Sequence, residues 1–296
     1  MILKSFSGNL AKLGLLLSLS IFLSLILGCS SSTIPTYVQE DIANAIQDIA
    51  NKEYKMDVKA RLVGQTLWIY LPVEDLFTKS PKPDKYFERF SIDKNEESFK
   101  DGTLKLDYLI QPIPEEAKYQ EYKYNKDVVE KMNNVWKILR RVIFSMDHSK
   151  TGQPKFFCLV TADIKNGFEI KELFYQLDLK KVSYEFISWG EYQHRAIQDT
   201  NISLEIIGDK EGRHLKYEDI TMDDFITRQI QHRIKLKFQK PEVDKNADID
   251  KEVIKAIVST VRVYGFKDFE GVELNNILTK KKIILNQAAI WEKPIE

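Results

Sequence analysis

Cysteine is almost absent: the 296 residues hold two, Cys29 and Cys158. That excludes a disulfide-stapled scaffold and a cysteine-based metal cluster. Cys158 lies among Phe156, Phe157, Leu159 and Val160, a setting that makes it a buried core thiol rather than a nucleophile. A surplus of either charge is missing too. Lys and Arg number 44, and so do Asp and Glu, so no basic excess draws the chain to nucleic acid. Also lacking are HExxH, a DxDxDG calcium loop, GxSxG and a phosphate-cradling glycine loop. No cofactor and no metal is expected, and an enzyme is the less favoured reading.

Histidine is scarce, at four residues. Most polar side chains that could form a site fall between Trp189 and Tyr217: Glu191, His194, Asp209, Glu211, Arg213 and His214. With Asp147, His148 and His232 they could assemble an acid–base or metal cluster. Their spacing matches no such cluster, and each His reads more simply as a surface or hydrogen-bonded residue. Glu191, His194 and His214 are the candidates to mutate.

Long apolar runs are confined to the amino terminus. Lys4 and Lys12 precede or open a stretch from Leu13 to Leu25 broken only by Gly14, Ser18, Ser20 and Ser24. This is the layout of a signal peptide over residues 1–28, with an apolar region too short for an ordinary transmembrane span. An uncleaved anchor from Leu10 to Leu27 is the alternative. The segment Ile26-Leu27-Gly28-Cys29 resembles the lipobox of bacterial lipoproteins, with an aliphatic residue three before the cysteine and a small residue just before it. The resemblance implies diacylglycerol on the Cys29 sulfur, cleavage before Cys29 and acylation of the new amine. It covers the leader alone and implies nothing about the folded part. More than one acyl chain suits the purpose, because a single chain holds a protein to a bilayer only marginally. Ser30 after the cysteine resembles the sorting pattern for the outer membrane, in a host that has one.

Cleavage there removes Lys4 and Lys12 alone of the charged residues, leaving 42 basic against 44 acidic side chains and a formal charge of −2. Residues 29–35 form a short lipidated tether. Each extended residue adds only about 3.5 Å, so the body stays close to its membrane.

The body, 36–240, opens with a helix. Thr36 and Gln39 have capping-box spacing, and Val38, Ile42, Ala45, Ile46 and Ile49 share one stripe. Strands are expected at 58–62 and 66–71 around a turn at 63–65. The Pro-, Lys- and Asp-rich stretch 78–100 reads as a long surface loop with aromatic footholds at Tyr86, Phe87 and Phe90. A strand over 104–110 ends at Pro112 and Pro114. Val128, Met132, Val135, Trp136, Leu139, Val142 and Ile143 mark a second helix, with Asp127 as N-cap. Its opposite face, Lys131, Lys137, Arg140 and Arg141, is either solvated or turned to anionic headgroups. Strands at 156–164 and 168–177 meet at Asn166-Gly167, a hairpin signal whose two central residues require positive φ. A third strand at 182–187 follows a turn at 178–181. Thr221 and Asp224 open another helix, and 234–238 fits either a helix or a strand. After a linker at 241–246, Asp248 caps a helix that stops at Gly265. Strands at 272–278 and 282–286 complete a C-terminal unit, 241–296, packed on the body.

Helix–strand–strand thus recurs at 36–71, 128–177 and 249–286, without residue-level repetition. The fold class expected is α+β, antiparallel sheets with packed helices. The leading functional expectation is a noncatalytic, lipid-anchored cell-envelope protein at a membrane in the periplasm, binding a protein partner in assembly or scaffolding. The alternatives are an envelope enzyme acting on wall or lipid substrates, and a carrier of an apolar ligand held between helices and sheet.

Overall fold

The computed structural model describes residues 37, 41–146, 154–239 and 243–292. The leader, Cys29, the tether, the cap at Thr36 with Gln39, Val38, Asp147, His148, most of the turn after Ser149 and the start of the 241–246 linker lie outside the described residues. Ile42–Tyr54 (α1) leads into the hairpin Lys59–Val63 (β1) and Thr66–Val73 (β2), then a long pair, Phe77–Lys100 (β3) and Thr103–Tyr124 (β4). Lys126–Phe144 (α2), Phe156–Asp163 (β5) and Phe168–Tyr175 (β6) follow. Two short helices, Gln176–Ser183 (α3) and Trp189–Arg195 (α4), precede Ile197–Ile202 (β7). The chain ends with Met222–Gln239 (α5), Ile249–Tyr264 (α6), Gly271–Asn276 (β8), Lys281–Asn286 (β9) and Gln287–Glu292 (α7). Among the described residues no helix is long and apolar enough to cross a membrane.

The fold is α+β. One sheet runs β1-β2-β5-β6-β7 and the other β3-β4-β8-β9. Pairing is antiparallel except between β2 and β5 and between β4 and β8. The first sheet is covered on both faces, so β5, its central strand, is buried at every position and reads as a continuous apolar run rather than an alternation. Leu67, Ile69, Leu71, Phe157, Leu159, Ile170 and Phe174 share one apolar cluster with Ile42 and Ile46 of α1 and Val135, Leu139 and Val142 of α2. Trp68, Tyr70, Phe156 and Cys158, from the other face, join a second cluster with Phe225, Ile230 and Ile234 of α5 and Val253 and Ile257 of α6. Leu104, Leu106, Tyr108 and Leu274 of the second sheet belong to that cluster too. The layers are therefore α1 and α2, first sheet, α5 and α6, second sheet. The first two helix–strand–strand units lie side by side through the parallel β2–β5 pair. The C-terminal unit completes the second sheet by pairing β8 with β4.

Several sequence expectations are corrected. Residues 78–100 are not a loop: they lie in β3, paired with β4 along its length. The hairpin closes at Asp101-Gly102, both at positive φ (51° and 72°), as a two-residue type I′ turn requires. Pro81 and Pro83 fall inside a bulge, where four residues of β3 lie opposite one of β4. Nor do Pro112 and Pro114 end β4, which continues to Tyr124. Beyond Tyr108 its other edge has no neighbouring strand among the described residues, so the missing proline N–H leaves no ladder bond unmade there. The cap of α2 is Asn125, whose side chain accepts from the Asp127 amide at 3.1 Å, rather than Asp127 itself. Only Gly167 of the Asn166-Gly167 pair has positive φ, because the turn spans four residues and the Asp163 carboxylate gathers the Lys165 and Asn166 amides. The third strand at 182–187 is absent: 176–183 is helix α3, and β6 pairs instead with β7. Residues 234–238 are helical, the last turn of α5.

Candidate functional site

Of the three residues singled out by sequence, Glu191 and His214 fall into two separate networks, and His194 shares a helix with Glu191. Glu191 and His194 lie on α4, whose N-cap Ser188 accepts from the Glu191 amide at 3.0 Å. Glu191 Oε1 accepts from Arg195 Nε at 2.8 Å and from Arg233 Nη2, on α5, at 3.0 Å. Arg195 Nη1 donates to the buried Asp178 carboxylate of α3 at 2.7 Å. Burial opposes ionisation of Glu191, but the two guanidiniums hold its carboxyl below the ordinary carboxylate range. The network bolts α3, α4 and α5 together.

His214 belongs elsewhere. Its Nδ1 lies 2.6 Å from Asp209 Oδ2 and its Nε2 lies 2.8 Å from Glu169 Oε2, all three side chains being nearly buried. Glu169 sits at the start of β6 and Asp178 beyond its end. A strand that rises about 3.3 Å per residue therefore keeps the two networks roughly 20 Å apart. Two acceptors on one ring require both nitrogens to carry protons. Burial works against the imidazolium, yet the bonds to Glu169 and Asp209 outweigh it and raise its pKa above 6.5. With both nitrogens engaged, His214 ties the 204–220 segment to β6 and turns neither nitrogen toward a substrate. Among the described residues no group of three His, Cys, Asp or Glu side chains is placed to hold a metal. Cys158 is a free, buried thiol whose pKa is pushed up by desolvation.

The arrangement that can receive a ligand lies where no motif pointed. Between α2, α4 and the outer strands of the first sheet is a cleft of about 340 Å³, lined chiefly by Met132, Trp136, Glu172, Phe174, Trp189 and Tyr192. Phe174 and Tyr192 stack at 5.5 Å, and Trp136 meets Phe174 edge to face at 4.4 Å. Trp189 tilts over Tyr192 at 5.3 Å and is 49% exposed, at the rim. Glu172 breaks the pattern. Strand alternation places it with Ile170 and Phe174 on the helix-covered face of β6, where an apolar side chain is expected. No ion pair or hydrogen bond to its carboxylate occurs among the described residues, and desolvation pushes its pKa up to about 7. Tyr192 is fully buried, and its hydroxyl has no hydrogen-bond partner among the described residues.

No family model matches the chain, and neither a curated protein nor a solved structure is similar to it. The sequence signal that could have found the cleft is Glu172 itself, an acid within Phe168–Tyr175 at a position whose neighbours two residues away are apolar. The stripe of α2 puts Met132 and Trp136 opposite it. The remaining wall comes from α4, which local pattern does not place.

Proposed function

We propose that the chain is a noncatalytic binding protein of a bacterial cell envelope, lipidated on Cys29, whose body takes a small ligand in the cleft between α2, α4 and β6. The cleft carries this reading: about 340 Å³ lined by five aromatic side chains, Tyr124 among them, and one carboxylate, of the size and lining usual for small-molecule sites. Native mass spectrometry of the chain, released from its host membrane in mild detergent, tests it. A bound small molecule retained by the native chain and lost from Trp136→Ala supports the reading. A chain that never carries one, and takes up none from a lipid and metabolite extract, contradicts it.

The anchor fits the same geometry. Chain enters the body at Tyr37, whose amide donates to the Ser145 carbonyl at 3.2 Å, just past α2. Phe144 there meets Tyr184 at 5.6 Å, and Phe186 beyond it is 80% exposed. Lys137, Arg140 and Phe144 fall on one side of α2, while Arg141 is occupied by Glu53 at 2.7 Å. The seven-residue tether, 29–35, reaches at most about 25 Å, which brings this aromatic and basic end near the bilayer. The localisation proposed is the membrane, and the periplasmic face of the outer membrane in a host that has one. Mass analysis of the amino-terminal peptide should show acylated Cys29. An intact Met1 terminus without acyl mass refutes the anchor.

A second reading, a protein partner in assembly, draws on β3 and β4. Residues 78–88 and 111–123 form a two-stranded ribbon exposed almost throughout, with Tyr119 and Tyr122 more than half exposed. Open edges invite strand addition. Replacing Tyr86, Tyr119 and Tyr122 by Ser should release a partner captured by crosslinking at the ribbon. A partner held equally by both chains counts against the ribbon.

A further inference from the structure

We propose that the cleft selects a small organic cation, its ammonium group set against the Glu172 carboxylate and boxed by the rings of Trp136, Phe174, Trp189 and Tyr192. The inference rests on the cleft being a ligand site and adds the chemistry of what it takes.

Packing alone does not explain where Glu172 sits. On β6 the residues facing α2 are Ile170, Glu172 and Phe174, and both neighbours of Glu172 belong to the apolar cluster of that face. A leucine or valine there would extend the cluster. A carboxylate instead carries a desolvation penalty that only a positive charge or hydrogen-bond donors offset. No such group meets it among the described residues, unlike Glu191, Asp178 and Asp250, each of which has a cation within 2.7–3.0 Å. A ligand that brings the charge supplies what the fold omits.

The walls suit the same ligand. Aromatic faces attract cations through the ring quadrupole, and cages of several rings are the usual receptor for alkylated ammonium groups. Here Phe174 and Tyr192 stack, Trp136 stands nearly perpendicular to both (83° and 82°), and Trp189 covers Tyr192 from the rim. Asn133, Gln193 and Gln198 line the rest of the cleft with neutral polar groups. None of the lining residues is a lysine or arginine, so a carboxylate or phosphate ligand finds no counter-charge in its wall. A purely apolar ligand would leave Glu172 as uncompensated as before.

The test uses the full chain in nonionic detergent and three probes with one ring and different charge: benzyltrimethylammonium, benzyl alcohol and benzenesulfonate. Affinity is read by calorimetry or tryptophan fluorescence. The cation should bind about tenfold or more tighter than the neutral probe, and the anion should not bind. Glu172→Gln should reduce the preference for the cation over benzyl alcohol to about threefold or less and leave benzyl alcohol unchanged, a split that loss of structure would not produce. Trp189→Ala, at the exposed rim, should weaken the cation while the fold persists. Equal binding of all three probes, or a cation preference that survives Glu172→Gln, overturns the cation assignment while the cleft remains a ligand site. No binding of any probe overturns both readings.

Discussion

A carboxylate that burial pushes from 4.5 up to about 7 loads a measurable cost onto the fold. That difference corresponds to about 3 kcal/mol when fully expressed, at 1.36 kcal/mol per unit of pKa. Glu172 keeps partial exposure, so about 2–3 kcal/mol is the expectation. The sign follows from linkage. Between about pH 4.5 and 7 the native state holds a proton that the unfolded chain has released, so this group lowers stability as pH rises across that window. Below it the group is neutral in both states and costs nothing. The charged and titratable groups around it do not reverse this. Tyr124 from β4 and Tyr192 from α4 are phenols whose pKa values are themselves raised, mainly by burial. Arg140 from α2 lies on the exposed side of that helix, its field acting on Tyr192. Glu172→Gln removes the ionisation and keeps the shape. At about pH 8 it should raise Tm by about 5–10 °C, taking about 2–4 °C per kcal/mol for a body of this size; at about pH 4.5 the two proteins should melt together. Thermal or urea denaturation at both pH values reads the difference. Equal stability across the range would refute the reasoning, since it would mean that the carboxylate is compensated inside the fold.

Substitutions at His214, Phe225 and Glu191 test the same structure. His214→Ala leaves the Glu169 and Asp209 carboxylates facing each other in a buried site, and should destabilise by about 3–5 kcal/mol in urea at neutral pH. Because the folded imidazole pKa is raised, the stability it adds is full below 6.5 and is lost as pH climbs through the folded value; His214→Gln should abolish that component of the pH profile. Phe225→Ala, at a fully buried ring between Phe156 and Tyr264, should cost about 3–5 kcal/mol, and a loss under 1 kcal/mol would contradict the placement of α5 between the sheets. Glu191→Ala should destabilise by about 1–3 kcal/mol, because Arg195 Nε and Arg233 Nη2 lose their shared acceptor while Arg195 keeps only Asp178, visible as a lower urea midpoint.

Much of the architecture was legible in local pattern. The stripes of α1, α2 and α6, the hydroxyl–carboxylate exchange between Thr221 and Asp224, the Asp248 cap and the Gly265 stop all act within one turn of helix, so sequence spacing reports them directly. What failed was set by distant neighbours. Lys79–Asp84 carries breakers and charge, yet it lies in a strand because β4 runs alongside and the bulge absorbs the prolines. Asp101-Gly102 is the sequence signal of that hairpin, but the polar flank before it lacks the apolar alternation that marks a strand. Ile197–Ile202 is a polar edge strand with one buried residue, so no alternation marks it. The stretch 182–187 looks like a strand by composition, but its aromatic residues are exposed and the edge of β6 is already taken by β7. Among site residues, Glu191 and His214 stand out in the sequence as polar residues in a polar stretch, and the structure places each in an ion-pair network between elements. Glu172 drew none, because its meaning depends on the unlike face it shares.

The most direct check is to follow the four tryptophan indole N–H signals by NMR as benzyltrimethylammonium is added. Trp136 and Trp189 line the cleft, whereas Trp68 donates to the Glu218 carbonyl at 2.9 Å and Trp291 lies on the terminal helix α7. The signals of Trp136 and Trp189 should shift together and saturate, with Trp68 and Trp291 unmoved. Shifts confined to Trp68 or Trp291, or none at any of the four, would contradict the account.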